Sequence, residues 1–423
     1  SKPYFVGEKS LQQLRPKVQK EDFVWEETNG ELKRTALYEK HRELTRKIVP
    51  FAGWEMPVWY GTALEEHRAV RETAGLFDVA HMGVLEVAGE HAASFLDLVS
   101  TNYARWLEDG QSHYSYLLDP DGRVIDDIMV YRRAVDRYMV VVNAANADKD
   151  LAWLRAVNSC RYVIDLKDPS SGEEQRVDIA LQGPSSLSIL RRLTDDQRLR
   201  DELARISRTE FIETDLAGIK AIVSRTGYTG EDIGYELYMH PKDAPRFWDL
   251  VLERGEDLGV KPAGLGARDS TRTEAGLPLY GHELAGEYDI SPTGAGFAPY
   301  VKLHKPYFIG REAHLLREAQ RTMQVVRFRM KDKGVRAIRP GDVVVTQRGE
   351  YIGAVTSCAL DVDGYQLGMA NVNKNRSSEG TELRIFPLPP GHRAAQEKDK
   401  RELKVGDKAL IPVEEDEEMG VRC

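Results

Sequence analysis

RYMVVVNAANADKDLAWLRA, residues 137–156, changes its period half-way along. Up to Val142 it has the β-branched and aromatic composition and the two-residue alternation of a strand. After the Asn-rich turn Asn143–Asn146 its apolar residues recur at the 3.6-residue spacing of a helix. Its neighbours show the same mixture. VLEVAG (84–89) reads as a strand and HAASFLDLV (91–99) as a helix, while SYLLD (115–119) and the run DDIMVY after it read as strands. Lys33-Arg34-Thr35 leads into a helical segment, Ala36 to Ile48, and Arg176 to about Leu258 holds a second set of strands and helices in mixed order. That irregular alternation predicts α+β architecture, because a doubly wound parallel sheet would repeat strand and helix regularly.

Beyond about residue 320 helical periodicity fades. TMQVVRFRM, DVVVTQ, YIGAVTS, YQLGMANV and ELRIFPL are short strands between Gly, Asp and Asn turns, which predicts a small β-barrel or sandwich. The expected division is an N-terminal extension over 1–35, an α+β region over 36–318 in two subdomains, and a C-terminal β-barrel with a charged tail over 319–423. Arg393 to Lys404 is highly charged and Glu414 to Glu418 is a like-charge block, as in a solvated tail. KPYFVGE (2–8) echoes KPYFIGRE (305–312), but seven positions do not make a duplication.

Composition narrows the function classes. A 423-residue chain with 41% hydrophobic and 30% charged residues suits a soluble multidomain protein. No apolar run approaches the ~20 residues of a membrane span, and no signal peptide is evident. Three widely spaced cysteines, Cys160, Cys358 and Cys423, argue for a reducing, cytoplasmic setting. The net charge of −9 argues against nucleic-acid binding. There is no phosphate loop, GxSxG elbow, HExxH or CxxC, and GAGFAP (294–299) lacks dinucleotide-binding spacing. No metal site is therefore expected, and catalysis must rest on carboxylates, aromatic residues and arginine.

DPDGRVIDDIMVYR (119–132) holds the most telling carboxylates. After the turn Asp119–Gly122, strand alternation puts Val124, Asp126, Ile128 and Val130 on one face and Ile125, Asp127, Met129 and Tyr131 on the other. Either both acids lie at the strand's exposed end, or at least one meets a buried environment. A buried carboxylate needs a positive or hydrogen-bonding partner, which suits a ligand that is, or becomes, cationic.

FAGWEMPVWYG (51–61), AGLFDVAHMG (74–83), DGRVIDDIMVYR, VVNAAN (141–146), ALQGP (180–184), TGYTGED (226–232), GLGARDSTRTEAGLPLYGHEL (264–284) and KPYFIGRE together resemble one family, the aminomethyltransferase or T-protein of the glycine cleavage system. The resemblance covers about residues 35–360. It implies two sheet-and-helix domains around a central folate cavity, with a C-terminal β-barrel. It implies transfer of a methylene group from an S-aminomethyl lipoyl arm on H-protein to tetrahydrofolate, with release of ammonia. Asp127 would be the catalytic carboxylate, stabilising positive charge and assisting proton transfer, and Asp126 would be structural.

By the same resemblance Met82, Tyr114, Asp127, Tyr131, Asn143, Tyr228, Glu236 and Arg268 would bind the folate, Glu236 taking the amino-pyrimidine edge. Read from the residues alone, the tyrosines and Met82 suit core packing equally, Asn143 suits a turn, Glu236 an exposed strand, and Arg268 an ion pair with Asp269 or another acid. His81 reads as a satisfied core histidine, and His282-Glu283 as a packing or turn element. Two other readings stand beside the leading one. The first is another tetrahydrofolate-dependent methyl- or demethyltransferase on this scaffold. The second is a non-enzymatic folate-binding protein of the iron–sulfur assembly type, whose KGCYxGQE motif meets Tyr307 here in place of cysteine.

Overall fold

The structure is a computed structural model that describes Phe23, Trp25, Glu26 and residues 30–158, 162–167 and 172–386. The first copy of the KPYF echo, Cys160, Cys423 and the charged segments beyond residue 392 lie outside the described residues.

Two sheets form the centre. The first has six strands in the order β10-β11-β12-β9-β3-β13. These are β3 (Ala74–Asp78), β9 (Val177–Gln182), β10 (Phe211–Leu216), β11 (Ile219–Ser224), β12 (Gly234–Met239) and β13 (Val260–Ala263). Only β13 runs parallel to its neighbour; the other pairings are antiparallel. The second sheet has five strands, β5-β6-β7-β4-β8. They are β4 (Gly83–Ala88), β5 (Gln111–Leu118), β6 (Val124–Ala134), β7 (Arg137–Val142) and β8 (Asp165–Lys167).

The alternation of each strand decides its layer. In β12, Tyr235, Leu237 and Met239 turn outward to the helices Ser186–Arg191, Gln197–Arg205 and Ala244–Gly255, packing with Ile189, Leu203, Phe247 and Trp248. Each such buried apolar side chain contributes about 1.5–3 kcal/mol. In β6, Ile128 and Val130 turn outward to the helices Ala92–Val99 and Ala147–Asn158, against Phe95, Leu151 and Trp153. The inner faces meet, with Val84, Tyr131, Met139 and Val141 of the five-stranded sheet against Phe211, Ile222 and Tyr238 of the six-stranded one. Helices thus cover the outside of both sheets and the polar residues of the inner faces are enclosed between them.

The predicted facing of β6 holds from Asp126 to Tyr131 and fails at its start. Leu117 pairs with Asp126 but Leu118 with Val124, so Ile125 is an extra residue, a bulge. Val124 consequently packs with Tyr116 and Leu118 under the loop residues Leu284 and Phe308, and Ile125 packs with the helices. The turn before it forms as expected: Asp119 Oδ1 accepts from Asp121 N and Arg123 N. Gly122 has φ +74°, and a Cβ there would come within 2.6 Å of His314 N.

Other expectations are corrected too. The helical segment placed over Ala36 to Ile48 is shorter, Tyr38–Leu44, and Ile48 already begins β1 (Ile48–Phe51), a hairpin with β2 (Trp54–Pro57). The five C-terminal strands are present: β14 (Met323–Arg329), β15 (Val343–Thr346), β16 (Tyr351–Leu360), β17 (Gln366–Asn373) and β18 (Leu383–Phe386). Among the described residues they form an open sheet, β14-β17-β16-β15-β18, and no closed barrel. With β15 and β18 only four residues long, the staggered ladder that closure needs is short. Arg272, fully buried on the helix Leu265–Ala275, ties this sheet to the centre by donating to Glu283 Oε2 and Ser357 Oγ.

Candidate active site

Asp127 projects from β6 into the space between the two sheets and keeps partial access to solvent. Tyr114, on β5, donates its hydroxyl to Asp127 Oδ2 at 2.8 Å. Asn143, where β7 gives way to the helix Ala147–Asn158, donates from Nδ2 to Asp127 Oδ1 at 2.9 Å and to Asp126 Oδ1 at 2.8 Å. Burial pushes the Asp127 carboxyl up and the Asp126 charge pushes it further. The bonds from Tyr114 and Asn143 offset part of this, and it titrates at about 7. A carboxylate with that midpoint is suited to exchange a proton near neutrality.

Asp126 is fully buried behind the strand. It accepts from Asn143 N, Asn143 Nδ2 and Asn146 Nδ2 and so pins the Asn-rich turn to the sheet. The alternatives for the acid pair are thereby decided: neither acid lies at an exposed end, and their partners are amides and the Tyr114 hydroxyl rather than a cation.

Five predicted residues remain. Glu236, on β12, accepts from Thr226 Oγ1, and it is half-buried. Burial raises its carboxyl, opposed first by the Thr226 bond and then by Arg268. Arg268 lies over the Tyr228 ring at 5.0 Å, and among the described residues no carboxylate is within 4 Å of it. The ion pair with Asp269 belongs instead to Arg272, one turn along, at 2.6 Å. Tyr228 donates to Pro278 O at 2.6 Å, and burial holds its phenol above the usual range. Met82 packs against two inner apolar clusters. Tyr131 is fully buried and shares a hydrogen bond of 2.9 Å with Tyr238, so it backs the Glu236 end rather than flanking Asp127.

Several residues escaped the sequence reading. Asp178 sits beside Tyr238 on the same inner face; burial and then the Glu236 charge hold its carboxyl well above the usual range. Asn146 and Lys149 complete the turn, Lys149 Nζ donating to Asn146 Oδ1 at 2.8 Å and Ile125 O at 2.9 Å. The paired asparagines of NAAN, opposite two acids, were the available signal. His81 is buried as expected but not satisfied: among the described residues its Nδ1 has no partner, and burial, then Arg268, lower it to about 4. Among the described residues no three His, Cys, Asp or Glu side chains gather as metal ligands. Surface clefts of about 280 Å³ at Tyr288–Arg321 and about 410 Å³ at Thr346–Leu383 contain none of the predicted residues.

The GCVT N-terminal domain pattern matches residues 37–305. The chain belongs to the GCVT family of aminomethyltransferases. Over 329 residues it is 44% identical to the aminomethyltransferase of Desulfitobacterium hafniense strain Y51, covering 77% of this chain and 86% of that relative. With the aminomethyltransferase of Moorella thermoacetica it shares 42% identity over 358 residues, 84% of this chain and 94% of the relative. The crystal structure of the glycine cleavage system aminomethyltransferase T from Bartonella henselae is similar, with a TM-score of 0.73 and 32% identity over 84% of this chain and 93% of that one. The Asp127, Tyr114 and Asn143 constellation on the five-stranded sheet is the candidate active site. Among the described residues no helix is long and apolar enough to cross a membrane.

Proposed function

We propose that this chain transfers the aminomethyl carbon of a lipoyl-bound donor, carried on the H-protein of glycine cleavage, to tetrahydrofolate with release of ammonia. The observation that supports it most is Asp127, a half-buried carboxylate titrating near 7 and held by Tyr114 and Asn143. The residues present fit a folate. Glu236 offers a carboxylate to an amino-pyrimidine edge, Arg268 is a cation without a carboxylate partner among the described residues, and Tyr114 and Tyr228 offer aromatic faces. Tetrahydrofolate, when bound, supplies the two nitrogens that accept the one-carbon unit. Asp127 then accepts a proton at its carboxylate, Tyr114 and Asn143 keep that carboxylate oriented, and Met82 and the sheet faces exclude water. Cation development at the transferred carbon is stabilised by the same negative charge.

The organisation that goes with this reading is a 1–35 extension, a 36–318 folate-binding region and a 319–423 C-terminal part, with the match at 37–305 in support. Three separated cysteines support a cytoplasmic setting. The test is ammonia release from glycine-loaded H-protein with and without tetrahydrofolate. The wild-type chain should be accelerated by the folate, and Asp127→Asn should lose at least about 10²-fold in turnover with folate affinity little changed. Absence of folate-dependent acceleration would refute the reading.

A further inference from the structure

Behind the acid pair stands a third carboxyl that the proposed chemistry does not use. Asp150 lies in the first turn of the helix Ala147–Asn158, where its N–H donates to Asn146 O at 2.8 Å. Its side chain is fully buried, and among the described residues neither Oδ1 nor Oδ2 meets a donor. Its neighbour is the carboxylate of Asp126, another acceptor. Two acceptors in contact inside a protein repel unless a proton lies between them. Asp126 already receives N–H bonds from Asn143 and Asn146, so the proton belongs to Asp150.

The groups facing Asp150 agree. Asp126 and Asp127 come from β6 and Lys149 from its own helix. Burial first, then the Asp126 charge and a hydrogen bond to it, raise Asp150 well above the usual carboxyl range, and Lys149 offsets only part of this.

We propose that Asp150 is a positioning residue for the transfer reaction, its carboxyl O–H donated to Asp126 so that Asp126, through Asn143, holds Asp127 in place. The connection is continuous: Asp150 to Asp126, Asp126 to Asn143 Nδ2, and Asn143 Nδ2 to Asp127 Oδ1. The donated hydrogen also partly neutralises Asp126, which limits how strongly that charge raises Asp127. The inference rests on Asp127 as the reacting carboxylate.

The test compares Asp150→Asn, whose amide retains a donor for Asp126, with Asp150→Val, which has none. Asp150→Asn should keep kcat within about threefold and leave the acid limb of the rate profile unmoved. Asp150→Val should lower kcat by about tenfold or more, keep the KM for tetrahydrofolate within about threefold, and move that limb upward by about half a pH unit or more. In the infrared, the full wild-type chain should show an un-ionised carboxyl band, at a pH above the Asp127 limb, that Asp150→Asn removes. A band that Asp150→Asn leaves unchanged overturns the proposal. So does an Asp150→Val protein that loses only melting temperature, or an Asp150→Asn protein as impaired as Asp150→Val. If Asp150→Val does not fold, the infrared comparison and the Asp150→Asn profile decide. Full turnover in Asp127→Asn would instead defeat the functional reading, while the infrared result would still report where the Asp150 proton lies.

Discussion

Replacing Asp126 by Asn changes one charge and almost no volume, and its effect can be worked from the geometry. Asn143 Nδ2 reaches Asp126 Oδ1 at 2.8 Å and Asp127 Oδ1 at 2.9 Å. The two oxygens are therefore no farther apart than those bonds laid end to end, about 5.7 Å. At an effective dielectric of about 20, two like charges at that separation repel by about 3 kcal/mol, or roughly two pKa units. Removing one should bring Asp127 from about 7 to roughly 5. Because the ionised carboxylate is the proton acceptor, rate rises with pH through this midpoint. One unit below its midpoint wild type should run at about a tenth of its plateau, where Asp126→Asn should run at about nine-tenths of its own. The measurement is the pH profile of ammonia release, read as limb position rather than height. The height should stay within about tenfold, since Asn143 loses an anchor. Melting should show a stability loss of about 1–3 kcal/mol, because the Asn carbonyl can still accept from the two side-chain amides while Asn143 N loses its acceptor. A limb that stays near 7, or moves up, would refute the assignment of Asp126 as the like charge.

Three further outcomes are expected. Glu236→Gln should weaken binding of 5-methyltetrahydrofolate by about 1–3 kcal/mol in an equilibrium titration, and unchanged affinity would remove Glu236 as the pterin anchor. Arg272→Met leaves the fully buried Glu283 without its cation and should cost about 3–5 kcal/mol of stability; a change within about 1 kcal/mol in denaturant melts would contradict that tie to the C-terminal sheet. Lys305 is buried, donating to Ser100 O and Asn102 O, and burial lowers its ammonium to about 7. The unfolded chain then binds the extra proton between about 7 and 10.5, so this lysine's penalty is complete below about 7 and fades as pH rises. The stability difference between wild type and Lys305→Met should move in favour of wild type across that window; a difference independent of pH would show Lys305 to be unperturbed.

The sequence made strand existence and the opposite facing of Asp126 and Asp127 legible because both follow from local pattern. Alternation in DDIMVY correctly separates Asp126 from Asp127, and all five C-terminal strands lie where β-branched runs meet turns. It failed where the outcome depended on residues far along the chain. The bulge at Ile125 is set by pairing with Leu117 and Leu118, and nothing within RVIDD announces it. Asp269 pairs with Arg272, three residues on along the helix, rather than with its neighbour Arg268, as helical spacing favours, while the contacts of Arg272 with Glu283 and Ser357 are tertiary. Asp150 stands in a helix's first turn, where local pattern does not announce burial; its burial against Asp126 is tertiary.

The bulge at Ile125 has a counterpart at the other end of β6, where pairing with β7 shifts between Arg132 and Ala134. The acid-bearing run is thus bracketed by two slack joints, with its regular ladders between them. Changes in the length of the Asp119–Gly122 turn or of the β6–β7 connection can be taken up at these joints without rotating the strand by half a period. Asp127 would then keep its orientation while the ends of its strand are altered, and it is the interior, residues 126–131, where a single insertion would exchange the two acids between the enclosed space and the helical layer.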